Sequence, residues 1–191
     1  MFTREEQTWL LKLARESIAH FLETGKKLKL KESEIEASGE SVKIKRACFV
    51  TLKKDLVELR GCMGSLEARR PLYLDILENA YAAAFEDSRF FPVTKEELPD
   101  VNIEISVLTD PKVLEFDSPE DLFNKLRVGV DGVVVERGEK NATFLPQVWD
   151  EMLEKSNFLT ALCMKAGLEP EEWKKPGLTV YTYQVEVFSE D

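Results

Sequence analysis

The chain has 191 residues and is 43% hydrophobic, which suffices for one ordinary domain or two small ones with a buried core. Its net charge is −10, from 26 basic and 36 acidic residues. This balance argues against a broad surface for phosphate backbones and against adsorption to an anionic membrane. We therefore expect no nucleic-acid partner and no membrane partner, although the composition is compatible with a small basic pocket.

The chain contains no apolar run long enough for a membrane helix, and "MFTREEQTWLLKLA" lacks the apolar core of a signal peptide. We therefore expect a cytoplasmic protein. Its three cysteines, Cys48, Cys62 and Cys163, are odd in number and widely spaced, so free thiols are expected. A single histidine, His20, excludes a His-rich centre, and no two metal ligands fall at a diagnostic spacing. The sequence predicts no metal site and identifies no cofactor.

The sequence pattern of the first half of the chain predicts two helices and three strands. Thr3 and Glu6 form a capping box that begins an amphipathic helix, which ends near Gly25. Alternation and turn residues then predict the remaining elements: a surface loop (26–41), strands (42–52 and 56–62) joined by a turn (53–55), a helix beginning at Pro71 and ending near Phe85, a connector (89–100) and a strand (101–108).

The second half predicts the same order of elements. Ser118 is an N-cap, and Pro119 and Asp121 follow at favourable first-turn positions, so a short helix runs to about Arg127. The later segments predict a hairpin (131–138 and 141–147), a helical stretch (149–167) that could be broken near Ser156 and is ended by Gly167, and a final strand (178–188).

Each half therefore reads helix, strand, strand, helix, strand. This predicts an α+β fold made of two small α/β units, with antiparallel sheets packed around a cleft. The first unit would span residues 1–110 and carry the motif described next, and the second would span residues 111–191.

The stretch "ELRGCMG" carries the main candidate site. Strict alternation places Arg60 and Cys62 on one polar face with Glu58, and it places Gly61 on the core face. The core face would also include Val57, Leu59 and Met63. On the polar face, Arg60 could lower the pKa of the thiol or hold an anionic group.

The glycines of this stretch have their own candidate roles. Gly61 and Gly64 permit positive φ or a close backbone approach, and successive amides here could form an anion-binding nest. The competing interpretation is an ordinary strand end with a glycine turn, a solvated Glu-Arg pair and an incidental thiol.

The hexapeptide "LRGCMG" closely resembles the LRGCIG motif of the AMMECR family. Further similar segments are "FVTLKK", "AAAFEDSRFFPVTKEELP", "IEISVL", "GVDGVVVERGEKNATFLPQVW" and "FLTALCMKAGL", so the resemblance covers roughly residues 49–173. Asp55-Leu56 stands where relatives often have a glycine.

The resemblance implies a two-part α/β domain with the motif at a cleft. It also implies functional positions at Arg60, Gly61, Cys62 and Gly64, with Asp87, Arg89 and Gln147 as further candidates. Microbial members of the family are encoded beside, or fused to, Memo-like and radical-SAM proteins, which implies those partners.

Two candidate sites, Glu104 and the pair Asp87 and Arg89, also have non-functional explanations. Glu104 lies opposite the apolar face of its predicted strand and could be a general acid or base that contacts substrate, or only a solvated acid. Asp87 and Arg89 could bind a ligand together, or form only a local ion pair.

The leading hypothesis is an enzyme or enzyme subunit that uses Cys62 as nucleophile, with Arg60 orienting a small anionic or carbonyl-bearing substrate and backbone amides stabilising developing charge. The alternative is a non-catalytic binding or adaptor module for a peptide, metabolite or partner protein. Replacing Cys62 by serine separates the two, because only an enzyme would lose turnover. The sequence specifies neither the reaction nor the oligomeric state.

Overall fold

The computed structural model describes residues 2–36 and 39–190. These residues divide into two compact units. The first is built from residues up to 108 together with residues 186–190, and the second from residues 109–185. Each unit is described by itself below.

The helices and strands are numbered in chain order. The helices are α1 (Arg4–Thr24), α2 (Glu32–Glu36), α3 (Leu72–Phe85), α4 (Pro119–Lys125) and α5 (Lys155–Lys165). The strands are β1 (Cys48–Lys54), β2 (Glu58–Gly64), β3 (Val101–Leu108), β4 (Lys112–Val113), β5 (Gly132–Arg137), β6 (Lys140–Phe144), β7 (Thr179–Tyr183) and β8 (Val185–Ser189). Short 3-10 turns occur at Ser41–Lys43, Leu98–Asp100, Pro146–Asp150 and Glu172–Lys174.

The first unit is a four-stranded sheet with strand order β2-β1-β3-β8, and β1 pairs antiparallel with both β2 and β3. Apolar side chains on one face of the sheet pack with α1 and α3 into one core, which includes Leu10, Ile18, Val50, Leu52, Ile76 and Ile103. The predicted capping box of α1 is present, because Thr3 and Glu6 each accept the backbone N–H of the other. The opposite face of the sheet is polar, which leaves it free to carry chemistry.

The second unit has strand order β4-β7-β5-β6, packed with α4 and α5. The Trp149 and Phe158 rings stack in its core with centroids 3.6 Å apart. Matched by position in the unit, β6-β5-β7-β4 repeats β2-β1-β3-β8. Apart from α2, β4 and β8, both units read helix, strand, strand, helix, strand. The predicted α+β fold with two antiparallel units is confirmed.

Several predicted element bounds are wrong. The first strand begins at Cys48 rather than Val42, because residues 41–43 form a 3-10 turn, and the hairpin turn lies at residues 55–57. The helix predicted over 149–167 starts only at Lys155, since the indole of Trp149 is buried and donates to the Asp131 carbonyl at 2.7 Å. Positive φ at Gly167 fits its predicted role after the helix.

The predicted last strand, 178–188, is two strands in two sheets, β7 and β8. They separate at Gln184, whose carbonyl accepts the Thr109 N–H and whose N–H donates to the Thr109 hydroxyl instead of continuing one ladder. The predicted loop over 26–41 contains the short helix α2, and its residues Ala37 and Ser38 lie outside the described residues. Across residues 2–36 and 39–190, no helix combines the length and apolarity needed to cross a membrane.

Candidate functional site

A β-bulge lies at the start of the motif. Leu52 of β1 pairs with Gly61 of β2, and the next residue, Lys53, pairs with Leu59. Arg60 is therefore the extra residue of β2 and has no partner on β1. A bulge re-aims the side chains around it. The predicted alternation of core and polar side chains consequently holds from Gly61 onward and fails for the residues before Gly61.

The bulge explains why part of the predicted core face is wrong. Val57 lies in the turn and is 84% exposed, and Leu59 is 39% exposed on the same face of the ladder as its partner Lys53. Downstream of the bulge the prediction is correct. Gly61 is buried and Met63 packs against the core.

Arg60 is bound by an acid that the sequence analysis did not single out. Its Nε and Nη2 atoms donate to the Glu97 carboxylate at 2.6 and 2.9 Å, and Nη2 also donates to the Phe91 carbonyl at 2.9 Å. Lys54 completes the cluster at 2.7 Å from Glu97. Arg60 and then Lys54 lower the pKa of Glu97 to about 2. The Arg60 guanidinium thus secures the bulge.

The backbone of Cys62 is held by Asp87 and Arg89. Cys62 N–H donates to Asp87 Oδ2 at 2.9 Å, and Arg89 Nη2 donates to the Cys62 carbonyl at 3.4 Å. Because β2 is an edge strand, its outward amide groups need partners from outside the sheet. The structure therefore brings three predicted site residues together across 25 or more positions of sequence.

Asp87 and Arg89 also bind each other as a fork. Arg89 Nε and Nη2 lie 2.9 and 2.6 Å from the two Asp87 oxygens. The Arg89 guanidinium, followed by the backbone N–H groups of Cys62 and Arg89, holds the pKa of Asp87 far below its ordinary value. Asp87 in turn raises the pKa of Arg89, and the negative charge of an ionised Cys62 contributes in the same direction. Arg89 is thus held between Asp87 and the Cys62 carbonyl.

The Cys62 side chain lies in a polar row that crosses three strands. Thr51 pairs with Cys62 on one side and with Glu104 on the other, so the three residues share a face. Thr51 Oγ1 donates to Cys62 Sγ at 3.3 Å. Glu104, predicted on this face, accepts from Lys53 Nζ at 2.7 Å.

Gly61 and Gly64 have a packing role in the first unit. A Cβ at Gly61 would lie 2.2 Å from the Ala83 carbonyl oxygen of α3, and a Cβ at Gly64 would lie 2.3 Å from the Phe49 ring. Neither glycine has a positive φ, so of the two predicted roles the close approach applies. The predicted nest is wrong, because Cys62 N–H donates to Asp87 and Ser65 N–H donates to the Cys48 carbonyl.

The other two thiols are buried. Burial, followed by the charge of Asp75, raises the pKa of Cys48 well above its ordinary value. Burial also raises the pKa of Cys163. Cys62 is partly exposed, whereas the other two are buried, so it is the thiol that a reagent in solution can reach.

Sequence reasoning missed a buried carboxylate behind the motif. Asp75 accepts hydrogen bonds from Cys48 N–H at 3.0 Å, Ser65 Oγ at 2.8 Å and Asn79 Nδ2 at 3.0 Å. It also pairs with Arg70 at 3.1 Å. The available signal was a polar pair spaced i,i+4 within the apolar stripe of α3. Asp75 ties both strands of the hairpin to that helix.

Gln147 is not part of this cluster. It lies in the second unit, exposed on the 3-10 turn Pro146–Asp150. The cluster of Cys62, Thr51, Asp87 and Arg89 is formed within the first unit.

Comparisons with known proteins agree with this architecture. The sequence model of the AMMECR1 family matches residues 11–188. Protein MK0488 of Methanopyrus kandleri is 41% identical over 196 residues, covering 99% of this chain and 90% of that protein. A protein of Methanothermobacter thermautotrophicus is 42% identical over 190 residues, covering 99% of this chain and 96% of the relative.

A solved structure is also similar. The crystal structure of the uncharacterised protein PH0010 from Pyrococcus horikoshii aligns with a TM-score of 0.81 at 34% sequence identity, over 100% of this chain and 94% of that one. The printed names of these relatives assign no activity.

Proposed function

Since this chain belongs to the AMMECR1 family, we propose that it is an enzyme or enzyme subunit whose reacting group is the Cys62 thiol. The observation that carries the proposal is that Cys62 combines exposure with a fixed position. Its N–H, its carbonyl and its sulfur are each bound, by Asp87, Arg89 and Thr51 respectively. A nucleophile held in one orientation beside a cation is the arrangement that thiol chemistry requires.

The proposed substrate is a small anionic or carbonyl-bearing molecule. The cation beside Cys62 that a ligand can reach is Arg89, whose side chain is 55% exposed and whose guanidinium donates to the Cys62 carbonyl. An accessible guanidinium favours an anionic ligand over a cationic one.

The remaining candidate residues take supporting roles in this proposal. Arg60 was predicted to orient the substrate, but its bond to Glu97 assigns it to the bulge that precedes Cys62. Gly61 and Gly64 allow α3 and Phe49 to approach the motif. Glu104, paired with Lys53 on the face of Cys62, is the proposed group for proton exchange. Gln147 is proposed to contact substrate on the basis of family resemblance alone.

We also propose a cytoplasmic location, where a free thiol stays reduced, and partnership with Memo-like or radical-SAM proteins. The partnership rests on family resemblance alone. It predicts that a partner supplies the substrate of Cys62 or uses its product.

Comparison of the wild type with Cys62→Ser, using Cys163→Ser as control, tests the proposal. Each protein is incubated with a deproteinised metabolite extract of archaeal cells, and metabolite masses are followed over time. Wild type and the control are expected to consume the same metabolite, whereas Cys62→Ser keeps its melting temperature and consumes none. Equal consumption by Cys62→Ser would contradict the proposal.

The second candidate function is a non-catalytic binding or adaptor module for a metabolite, peptide or partner protein. The observation that favours it is that the side-chain contact of the Cys62 sulfur is a hydroxyl, that of Thr51, rather than a base. The nearby carboxylate Glu104 is paired with Lys53. An adaptor would retain one metabolite through purification, in wild type and in Cys62→Ser alike, and neither protein would consume it.

A further inference from the structure

Resting on the proposed function of Cys62, we propose that Arg89 is the receptor for a carboxylate on the substrate. The substrate is then a small carboxylic acid that also carries an electrophilic carbon.

Arg89 is available to a ligand, whereas Arg60 is not. The Arg89 side chain is 55% exposed, and that of Arg60 is 13% exposed. Arg60 is bound in a fork by Glu97 and also by the Phe91 carbonyl. The remaining nitrogen of Arg60, Nη1, has no hydrogen-bond partner within residues 2–36 and 39–190, but it is buried. A ligand would have to open the packing around Arg60 to reach it, which costs more than contacting a half-exposed guanidinium.

One nitrogen of the Arg89 guanidinium remains open. Nε and Nη2 donate to Asp87, and the second Nη2 proton donates to the Cys62 carbonyl. Within residues 2–36 and 39–190, Nη1 donates no hydrogen bond to another residue. Nη1 therefore has two N–H groups to offer to a carboxylate.

The guanidinium is held in a fixed orientation. The carboxylate that holds it, Asp87, is only 5% exposed and also accepts the Cys62 N–H. The Phe90 ring lies beside it, with its centroid 5.4 Å from Arg89 Cζ. The two hydrogen bonds to Asp87 and the aromatic neighbour together keep Nη1 pointing in one direction, so little entropy is lost when an anion binds.

Arg89 lies beside the residue that carries the thiol. The Nη2 atom that binds Asp87 also donates to the Cys62 carbonyl, so a carboxylate on Arg89 would lie next to the nucleophilic residue. The single positive charge of the guanidinium matches a carboxylate better than a phosphate dianion.

The test uses two reagents that differ in this one group. Iodoacetate and iodoacetamide both alkylate the thiolate: the sulfur electron pair forms the C–S bond, the C–I bond breaks and iodide leaves. Both reagents require the same thiolate, so the iodoacetate rate divided by the iodoacetamide rate is independent of thiol ionisation. This quotient is measured at Cys62 by peptide mass spectrometry and compared with the same quotient for glutathione.

Wild type is expected to show a quotient about tenfold above that of glutathione, the effect of one added hydrogen bond to a charged group. Arg89→Gln should return the quotient to the glutathione value, and Arg89→Lys should retain part of it because the charge remains without the fork. Arg69→Gln, which alters an exposed arginine of the same unit, is the matched control and should leave the quotient unchanged.

Two outcomes overturn the inference. A wild-type quotient equal to that of glutathione shows that no carboxylate receptor serves Cys62, and a quotient unchanged by Arg89→Gln shows that Arg89 is not that receptor. The proposed function fails separately: if neither reagent alkylates Cys62 in the native protein, the thiol is not the reacting group and the inference fails with it.

Discussion

Replacing Gly61 by alanine probes the contact that places the motif. The new methyl carbon would lie 2.2 Å from the Ala83 carbonyl oxygen. Carbon and oxygen atoms in close contact are about 3.3 Å apart, so β2 and α3 must separate locally by about 1 Å. The obstacle is helix backbone, which cannot rotate away as a side chain would.

The cost follows from how tightly this helix packs. Leu72, Ile76 and Ala80 of α3 are fully buried, and Ala83 is 1% exposed. Overpacking such an interface costs about 1–3 kcal/mol. The lower chain entropy of alanine in the unfolded state offsets about 0.5 kcal/mol. We expect a net loss of about 2 kcal/mol, which lowers the melting temperature of a chain of this length by roughly 4–8 °C.

Urea denaturation followed by circular dichroism, with the thermal melt as a second reading, measures this loss. Gly25→Ala is the control in the same unit, because Gly25 has a φ of +69° and nothing within 4 Å of an added Cβ. Its cost should be about 1 kcal/mol, from backbone strain alone. The packing argument is refuted if Gly61→Ala destabilises the protein no more than this control does.

Three further predictions concern the surroundings of the motif. Asp87→Asn should lower the free energy of unfolding, measured by urea denaturation, by about 2–3 kcal/mol, because it leaves Arg89 and the Cys62 N–H facing an amide. The substitution of an exposed acid, Asp55→Asn, is the control. An equal effect of the two substitutions would contradict the role of Asp87. Because the pKa of Glu97 is lowered, its contribution is complete above about pH 4.5 and is lost as the pH falls toward about 2. This pKa shift corresponds to roughly 3 kcal/mol of folding stability, which solvent screening reduces to about 1 kcal/mol. The wild type should therefore lose more stability than Glu97→Gln as the pH falls over this range. Equal losses in the two proteins would refute the assigned role of Glu97. Leu56→Gly should stabilise the protein by about 1 kcal/mol, since Leu56 has a φ of +64° in the hairpin turn and glycine accepts that conformation freely; a lower melting temperature would show that the Leu56 side chain makes a stabilising contact.

Local sequence signals predicted much of the fold. The capping box of α1, the Ser118 cap of α4 and the strand β3 are correct because each depends on residues close together in sequence. The end of β7 was missed for a physical reason. Alternation continues through Gln184, and it reports which side chains share a face but not which sheet a strand joins.

The candidate site was predictable in its members more than in its contacts. Arg60 is one extra residue in β2, so the side chains that precede it lie on the opposite face of the sheet from the one that alternation predicts. Nothing in "ELRGCMG" marks this bulge. The family resemblance named Asp87 and Arg89, but their hydrogen bonds to the Cys62 backbone depend on β2 being an edge strand, which is a property of the assembled sheet. Glu97 was missed because its partner Arg60 was expected to face the thiol.

The central claim, that Cys62 is the reachable and reacting thiol, is tested most directly by native-state alkylation. The intact protein is treated with iodoacetamide at neutral pH, and the modification rate of each cysteine is read from peptide masses. Cys48 and Cys163 are buried and react only through opening of the fold. Cys62 should therefore react at least roughly a hundredfold faster than either. Equal rates at all three cysteines, or a Cys62 as slow as Cys48, would contradict the account.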